Sequence, residues 1–102
     1  MVAPRGDVDI ATASAVQAAL ETRGPSDETL VLDLRGVDFL DTSGLRLVVE
    51  FSQRAREGGY RFTVVRGSQR VHRIFQIAGL DDGEVHFVDD PAELLGGRDA
   101  RG

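Results

Sequence analysis

The chain has no cysteine, which excludes disulfides and thiolate metal sites. It does not depend on an oxidising compartment, and a cytoplasmic setting is expected. No apolar run approaches the roughly 18–20 residues that a membrane-spanning helix needs. The opening residues Met1 to Gly6 lack the apolar core of a signal peptide. Basic residues are the minority, 12 Lys and Arg against 17 Asp and Glu, for a net charge of −5. A surface of that sign argues against nucleic acid as a main partner, because phosphate binding wants a basic surface. No internal repeat or low-complexity block is visible. What remains is 102 residues, one domain with a core of modest size. It is expected over residues 1–95, with a loose tail over 96–102.

The stretch from Leu30 to Leu45 organises the rest. Leu30 to Leu34 is a short apolar run with Asp33 as its one break, which fits a strand covered on both faces in a parallel sheet. The residues after it read as a turn. Polarity then changes at Asp41-Thr42-Ser43-Gly44, just before the periodic Leu45, Val48 and Val49. Asp, Thr and Ser are all good N-cap residues. Three in a row exceed what one cap requires.

In chain order, Val8 and Ile10 alternate with Asp7 and Asp9 as in a half-buried strand. A first helix is expected from about Ala13 to Arg23, capped by Thr12, with Val16, Ala19 and Leu20 as its buried stripe. Gly24-Pro25 stops it, and Ser26 to Glu28 is a solvated link. A second helix is expected from Gly44 to Glu57, with Leu45, Val48, Val49 and Ala55 on its apolar side and Leu47 and Phe51 widening it. Glu50 and Arg54 form a favourable i,i+4 pair. Tyr60 to Val65 reads as a strand. A third helix follows from Gln69 to Ala78 with Ser68 as cap and Val71, Ile74 and Phe75 inside. Arg66, Arg70 and Arg73, with Gln69 and His72, read as a solvated face. Glu84 to Val88 is the last strand, and Asp90-Pro91 opens a short final helix ending near Leu95. Alternating short strands and helices imply a mostly parallel sheet. In such sheets sites collect where strand C-termini enter helices, which places Asp9 to Thr12 and Asp38 to Gly44 close together.

Three motifs carry a family resemblance. Asp41-Thr42-Ser43-Gly44-Leu45, Gly6-Asp7-Val8-Asp9 and the helix end Ile77-Ala78-Gly79-Leu80-Asp81 together resemble the STAS domain of anti-sigma factor antagonists, in that family's order. The resemblance implies an α/β, STAS-like fold: a mostly parallel four- to five-stranded sheet with about four helices. The N-terminal strand would be reduced or missing, since the family usually has more chain before the first motif. An edge left uncovered there invites self-association as a homodimer.

By the same resemblance, Ser43 is the regulatory phosphorylation site and Thr42 a weaker second acceptor. The unphosphorylated form would capture an anti-sigma factor, itself an ATP-using serine kinase, and a serine phosphatase would restore binding. The partner would meet Asp9, Asp41, Thr42, Ser43, Gly44, Leu45 and Arg46. No cofactor, metal, nucleic acid or membrane partner is implied. Each residue also has a plainer reading. Ser43 and Asp41 could cap the helix, Asp9 could cap the first helix, and Thr42 could pack. Gly44 is expected to clear space beside the hydroxyl for a kinase.

Two other functions compete. Small STAS proteins also serve as accessory subunits of transport ATPases or in stress-signalling scaffolds; the Asp41-Thr42-Ser43 pattern favours the kinase switch. An enzyme with Ser43 as nucleophile would need a base and an oxyanion site. Only His72, expected on an exposed helix face, and His86, in a strand, could serve as base. Asp41 stands where a Gly-x-Ser-x-Gly elbow has its first glycine.

Overall fold

The computed structural model describes residues 1–22, 29–81 and 83–93. Its elements run β1 (Gly6–Val8), α1 (Ile10–Thr22), β2 (Thr29–Asp33), β3 (Val37–Leu40), α2 (Thr42–Gly58), β4 (Arg61–Val65), α3 (Gln69–Ile77) and β5 (His86–Val88). All strand pairs are parallel. β2, β4 and β5 form one sheet in that order, and β1 pairs with β3 in a second. An isolated parallel bridge between Val2 and Leu32 links the two. The N-terminal strand, expected to be reduced or missing, is reduced to the three-residue β1 and that single bridge.

β2 and β3 are two halves of one path bent at Arg35-Gly36. The reduced chain start follows that path, touching β2 at Val2 and β3 at Gly6 to Val8. The register slips between Gly6 and Asp7, where Gly6 has a φ of 79°. A glycine adopts that left-handed backbone without a Cβ penalty. The bend itself is held by Asp33, only 5% exposed. Its Oδ1 accepts the Arg35 backbone N–H at 3.0 Å, and its Oδ2 accepts Nη2 of Arg35 at 2.8 Å. The break in the apolar run is therefore a buried carboxylate kept charged by its own turn.

The segment after Gly36, expected to be a turn, is strand β3. Its pattern explains the difference: Val37 and Leu40 are buried while Asp38 and Phe39 between them are exposed. Four residues without alternation carry no strand signal, and only pairing with β1 makes them one.

α1 begins at Ile10 and not at Ala13. Asp9 is its cap: Asp9 Oδ1 accepts the Thr12 N–H at 3.1 Å while Thr12 Oγ1 accepts the Asp9 N–H at 2.9 Å. This is a reciprocal capping box with Thr in the third helical position. Ile10, expected in a half-buried strand, is 77% exposed in the first turn. Val16 and Leu20 are buried as expected. Arg23 to Glu28, including the Gly24-Pro25 stop, lies outside the described residues.

α2 starts at Thr42, two residues before the expected start. Its buried line runs through Gly44, Leu47, Val48, Phe51, Ser52 and Ala55, while Leu45 and Val49 are half-buried. Leu47 and Phe51 are thus central and not peripheral. Gly59, φ 76°, ends the helix by donating its N–H to Ala55. Phe51 meets Phe62 of β4 at 5.9 Å between ring centroids, and Phe75 of α3 meets Phe87 of β5 at 5.2 Å. These contacts join helices to strands around one core.

α3 is capped by Ser68 as expected, its hydroxyl accepting the Val71 N–H at 3.3 Å. His72 is buried and not solvated: its ring packs edge-on against Phe87 at 4.8 Å. Beyond β5, Asp90 Oδ1 accepts the Ala92 N–H at 2.9 Å and Glu93 Oε2 accepts the Asp90 N–H at 3.0 Å. The expected final helix therefore has its cap; its end near Leu95 and the tail lie outside the described residues. Among the described residues no helix is long and apolar enough to cross a membrane.

Candidate functional site

Each helix start follows a parallel strand, so Asp9, Asp41, Ser68 and Asp90 all stand at one edge of the sheets. The two leading motifs meet there directly. The Asp41 N–H donates to the Val8 carbonyl at 3.1 Å, which sets the start of α2 beside the start of α1.

Asp41 is the N-cap of α2. Its backbone is extended, φ −97° and ψ −170°. Oδ1 accepts the Ser43 N–H at 2.8 Å and the Gly44 N–H at 3.4 Å. The capping task is thereby taken, and Ser43 does not perform it. Ser43 is half-buried, and its hydroxyl has no hydrogen-bond partner among the described residues. Thr42 is exposed beside it.

Ser43 opens onto a groove of about 200 Å³ between α1 and α2. Ile10, Ala13 and Gln17 line it from α1, and Ser43, Arg46 and Leu47 line it from α2. The groove has an apolar lip in the exposed Ile10 and a cation in the exposed Arg46. Farther along the two helices, Arg54 ties them together, with Nη2 on Glu50 Oε2 at 2.9 Å and Nη1 on Glu21 Oε2 at 3.1 Å.

The other expected contact residues divide. Asp9 is exposed, but its carboxylate is committed to Thr12, whose bonds hold it below the usual carboxylate range. Leu45 is half-buried and packs on the core. Gly44 is buried and does not clear a path for a kinase. A Cβ there would stand 2.7 Å from Leu40 Cδ1 and 3.2 Å from Val8 Cγ1. Glycine at this position lets α2 settle on β1 and β3. Ile10 and Gln17 also line the groove, outside the set of contact residues expected from the motifs. Reading Asp9-x-x-Thr12 as a capping box would have put Ile10, Ala13 and Gln17 on one helical face.

Neither histidine lines the groove. His72 Nε2 lies 3.1 Å from Nη1 of Arg66, at the start of α3, and His86 is in β5. Among the described residues no group of three or more His, Asp or Glu side chains is arranged to hold a metal ion.

A family profile described as "Mlab, STAS domain" matches residues 1–95. The anti-sigma-F factor antagonist RsfB of Mycobacterium tuberculosis is 31% identical over 77 residues, which are 74% of this chain and 62% of RsfB. The chain thus spans less than two thirds of that relative's length. The anti-sigma-B factor antagonist of Listeria monocytogenes is 31% identical over 78 residues, 76% of this chain and 68% of the relative. Among solved structures, an anti-sigma factor antagonist from Mycobacterium paratuberculosis superposes with a TM-score of 0.80 at 24% identity, covering 93% of this chain and 80% of that one. The anti-sigma factor antagonist SpoIIAA in its unphosphorylated form gives 0.74 at 20% identity, covering 95% and 85%. At such identities the likeness of the structures is one of fold. The profile match over nearly the whole chain settles the family: this protein belongs to the STAS domain family.

Proposed function

We propose that the chain is an anti-sigma factor antagonist whose α1–α2 groove binds an anti-sigma factor and whose Ser43 is the phosphate-controlled element. The observation that carries this reading is the uncommitted Ser43 hydroxyl, freed from capping by Asp41 at the mouth of the groove. The names of the relatives point the same way. In the unphosphorylated state a partner can cover Ile10 and meet Arg46. In the modified state it would meet a group of about −1.5 to −2 charge with three strong acceptors, and docking would need that group to be desolvated.

The partner in this reading is a serine kinase. It forms the Ser43 Oγ–P bond as the bond between the β–γ bridging oxygen and the γ-phosphorus of ATP breaks. ADP leaves, and the hydroxyl proton passes to a base on the kinase. A serine phosphatase reverses the change by hydrolysis. The chain itself is a binding module and not an enzyme; the engagement of His72 with Arg66 supports this, since it leaves Ser43 without that base.

The test is binding of wild type, Ser43→Ala and Ser43→Asp to an anti-sigma factor kinase, with mass spectrometry of Thr42 and Ser43 after incubation with ATP. The reading expects capture by wild type and Ser43→Ala, loss of capture by Ser43→Asp, and phosphate on Ser43. Equal capture by all three, with no phosphate on Ser43, would favour a constitutive accessory subunit of a transport ATPase or a signalling scaffold.

A further inference from the structure

We propose that Arg46 is an internal clamp for a phosphate on Ser43, and that this pairing withdraws the groove's cation from the partner. The inference rests on Ser43 being the phosphorylated residue. It adds a device specific to the residues of this chain.

Ser43 and Arg46 stand three positions apart on α2 and line the same groove. At that spacing helix residues are neighbours, with Cβ atoms about 5–6 Å apart. Arg46 is exposed, and among the described residues it makes no ion pair and no side-chain hydrogen bond. The reason lies in the acids around it. Glu50, four residues on and the natural mate of Arg46, is turned to Arg54 at 2.9 Å. Arg54 also holds Glu21. Asp41 spends Oδ1 on the α2 backbone, and Asp9 is bonded to Thr12.

A phosphate on Ser43 would be the one strong anion near Arg46 without a mate. A guanidinium offers a planar fork that suits two phosphate oxygens at once. Pairing changes the groove twice over. It adds negative charge at Ser43, and it occupies the cation that an acidic partner residue would otherwise use. Rejection of the partner therefore needs no movement of α1 or α2.

The test installs phosphoserine at position 43 during translation, so that no kinase or partner is involved. The phosphate is titrated by 31P NMR in wild type, Arg46→Ala and Arg46→Lys, through its second ionisation near pH ~6. The clamp favours the dianion, so the wild-type midpoint should lie about 0.5 below that of Arg46→Ala. Arg46→Lys should fall between them, and added salt should narrow the gap. Coincident titrations of wild type and Arg46→Ala would overturn the clamp while leaving the switch intact. Equal partner affinity of the serine and phosphoserine proteins would overturn the switch, whatever the titration shows.

Discussion

The Asp41 carboxylate receives the Ser43 backbone N–H at 2.8 Å, and this bond divides two tasks between neighbouring residues. The carboxylate holds the helix start, and the hydroxyl is left without a structural duty. A residue that had to cap α2 could not be modified without loosening the helix. Here the cap and the hydroxyl proposed as the modified group sit on different residues, so a phosphate on Ser43 should leave the cap of α2 in place.

That division predicts opposite results from adjacent substitutions. Asp41→Ala removes the cap and should cost about 1 kcal/mol, or roughly 4–8 °C in Tm for a domain of this size. Asp41→Asn should recover most of it, since its carbonyl oxygen can accept the same N–H groups. Ser43→Ala should leave Tm within about 2 °C, as expected of a site that bears no cap or core contact. Thermal unfolding followed by circular dichroism compares the four proteins directly.

Gly44→Ala should destabilise although alanine is the better helix former by about 1 kcal/mol. The new methyl group would overlap Leu40 at 2.7 Å, and overpacking of this kind costs about 1–3 kcal/mol. Leu40→Ala alone opens a cavity and should cost about 2–5 kcal/mol. In the double variant the methyl group occupies part of that cavity, so the combined cost should be less than the sum. Urea titrations of the single and double variants measure the coupling.

The Asp33–Arg35 turn predicts a pH-dependent effect. The Arg35 bonds hold the Asp33 carboxyl below its ordinary value. A carboxylate with a depressed folded-state pKa stabilises the fold fully above the unfolded value, about 3.9. That contribution is lost as pH falls through the folded value. Arg35→Ala should therefore lower Tm most at neutral pH, and its difference from wild type should shrink below pH ~4. A constant difference across pH would assign the loss to the aliphatic stem of Arg35.

His72 should add a second acid-sensitive term in a higher window. Burial against Phe75 and Phe87 pushes its pKa down, Arg66 adds to that, and Asp81 and Asp89 oppose it. The folded state thus prefers the neutral ring. The contribution is complete above about 6.5, the ordinary histidine value, and declines as pH falls from there through the folded value. His72→Phe should flatten the stability profile on the acid side of pH ~6.5. Chemical denaturation at several pH values in that range checks it.

Much of the local geometry of the candidate site is legible in the sequence because it rests on short-range chemistry. A cap residue, its helix and the glycine that follows lie within a few residues, so Asp41, Ser43 and the start of α2 could be read to within two positions. The Ser68 and Asp90 caps and the Glu50–Arg54 pair were legible for the same reason. The motif at Gly6 to Asp9 points to the right edge of the sheet, and the cap expected there at Thr12, with Asp9 as the alternative, is a box that uses both residues.

What the sequence determined by itself was the order of strands and helices, the edge where their polar caps gather, and the serine among them. Those follow from periodicity and from hydrogen bonds that a residue makes with its near neighbours. Tertiary structure alone decided that Val37 to Leu40 is a strand, because its partner is β1, far along the chain. It alone turned Gly44 toward Leu40, buried His72 against Phe87, and set Ile10 and Arg46 on facing walls of one groove. Each of these depends on contacts between distant segments, and no local pattern encodes which distant surface a side chain will meet.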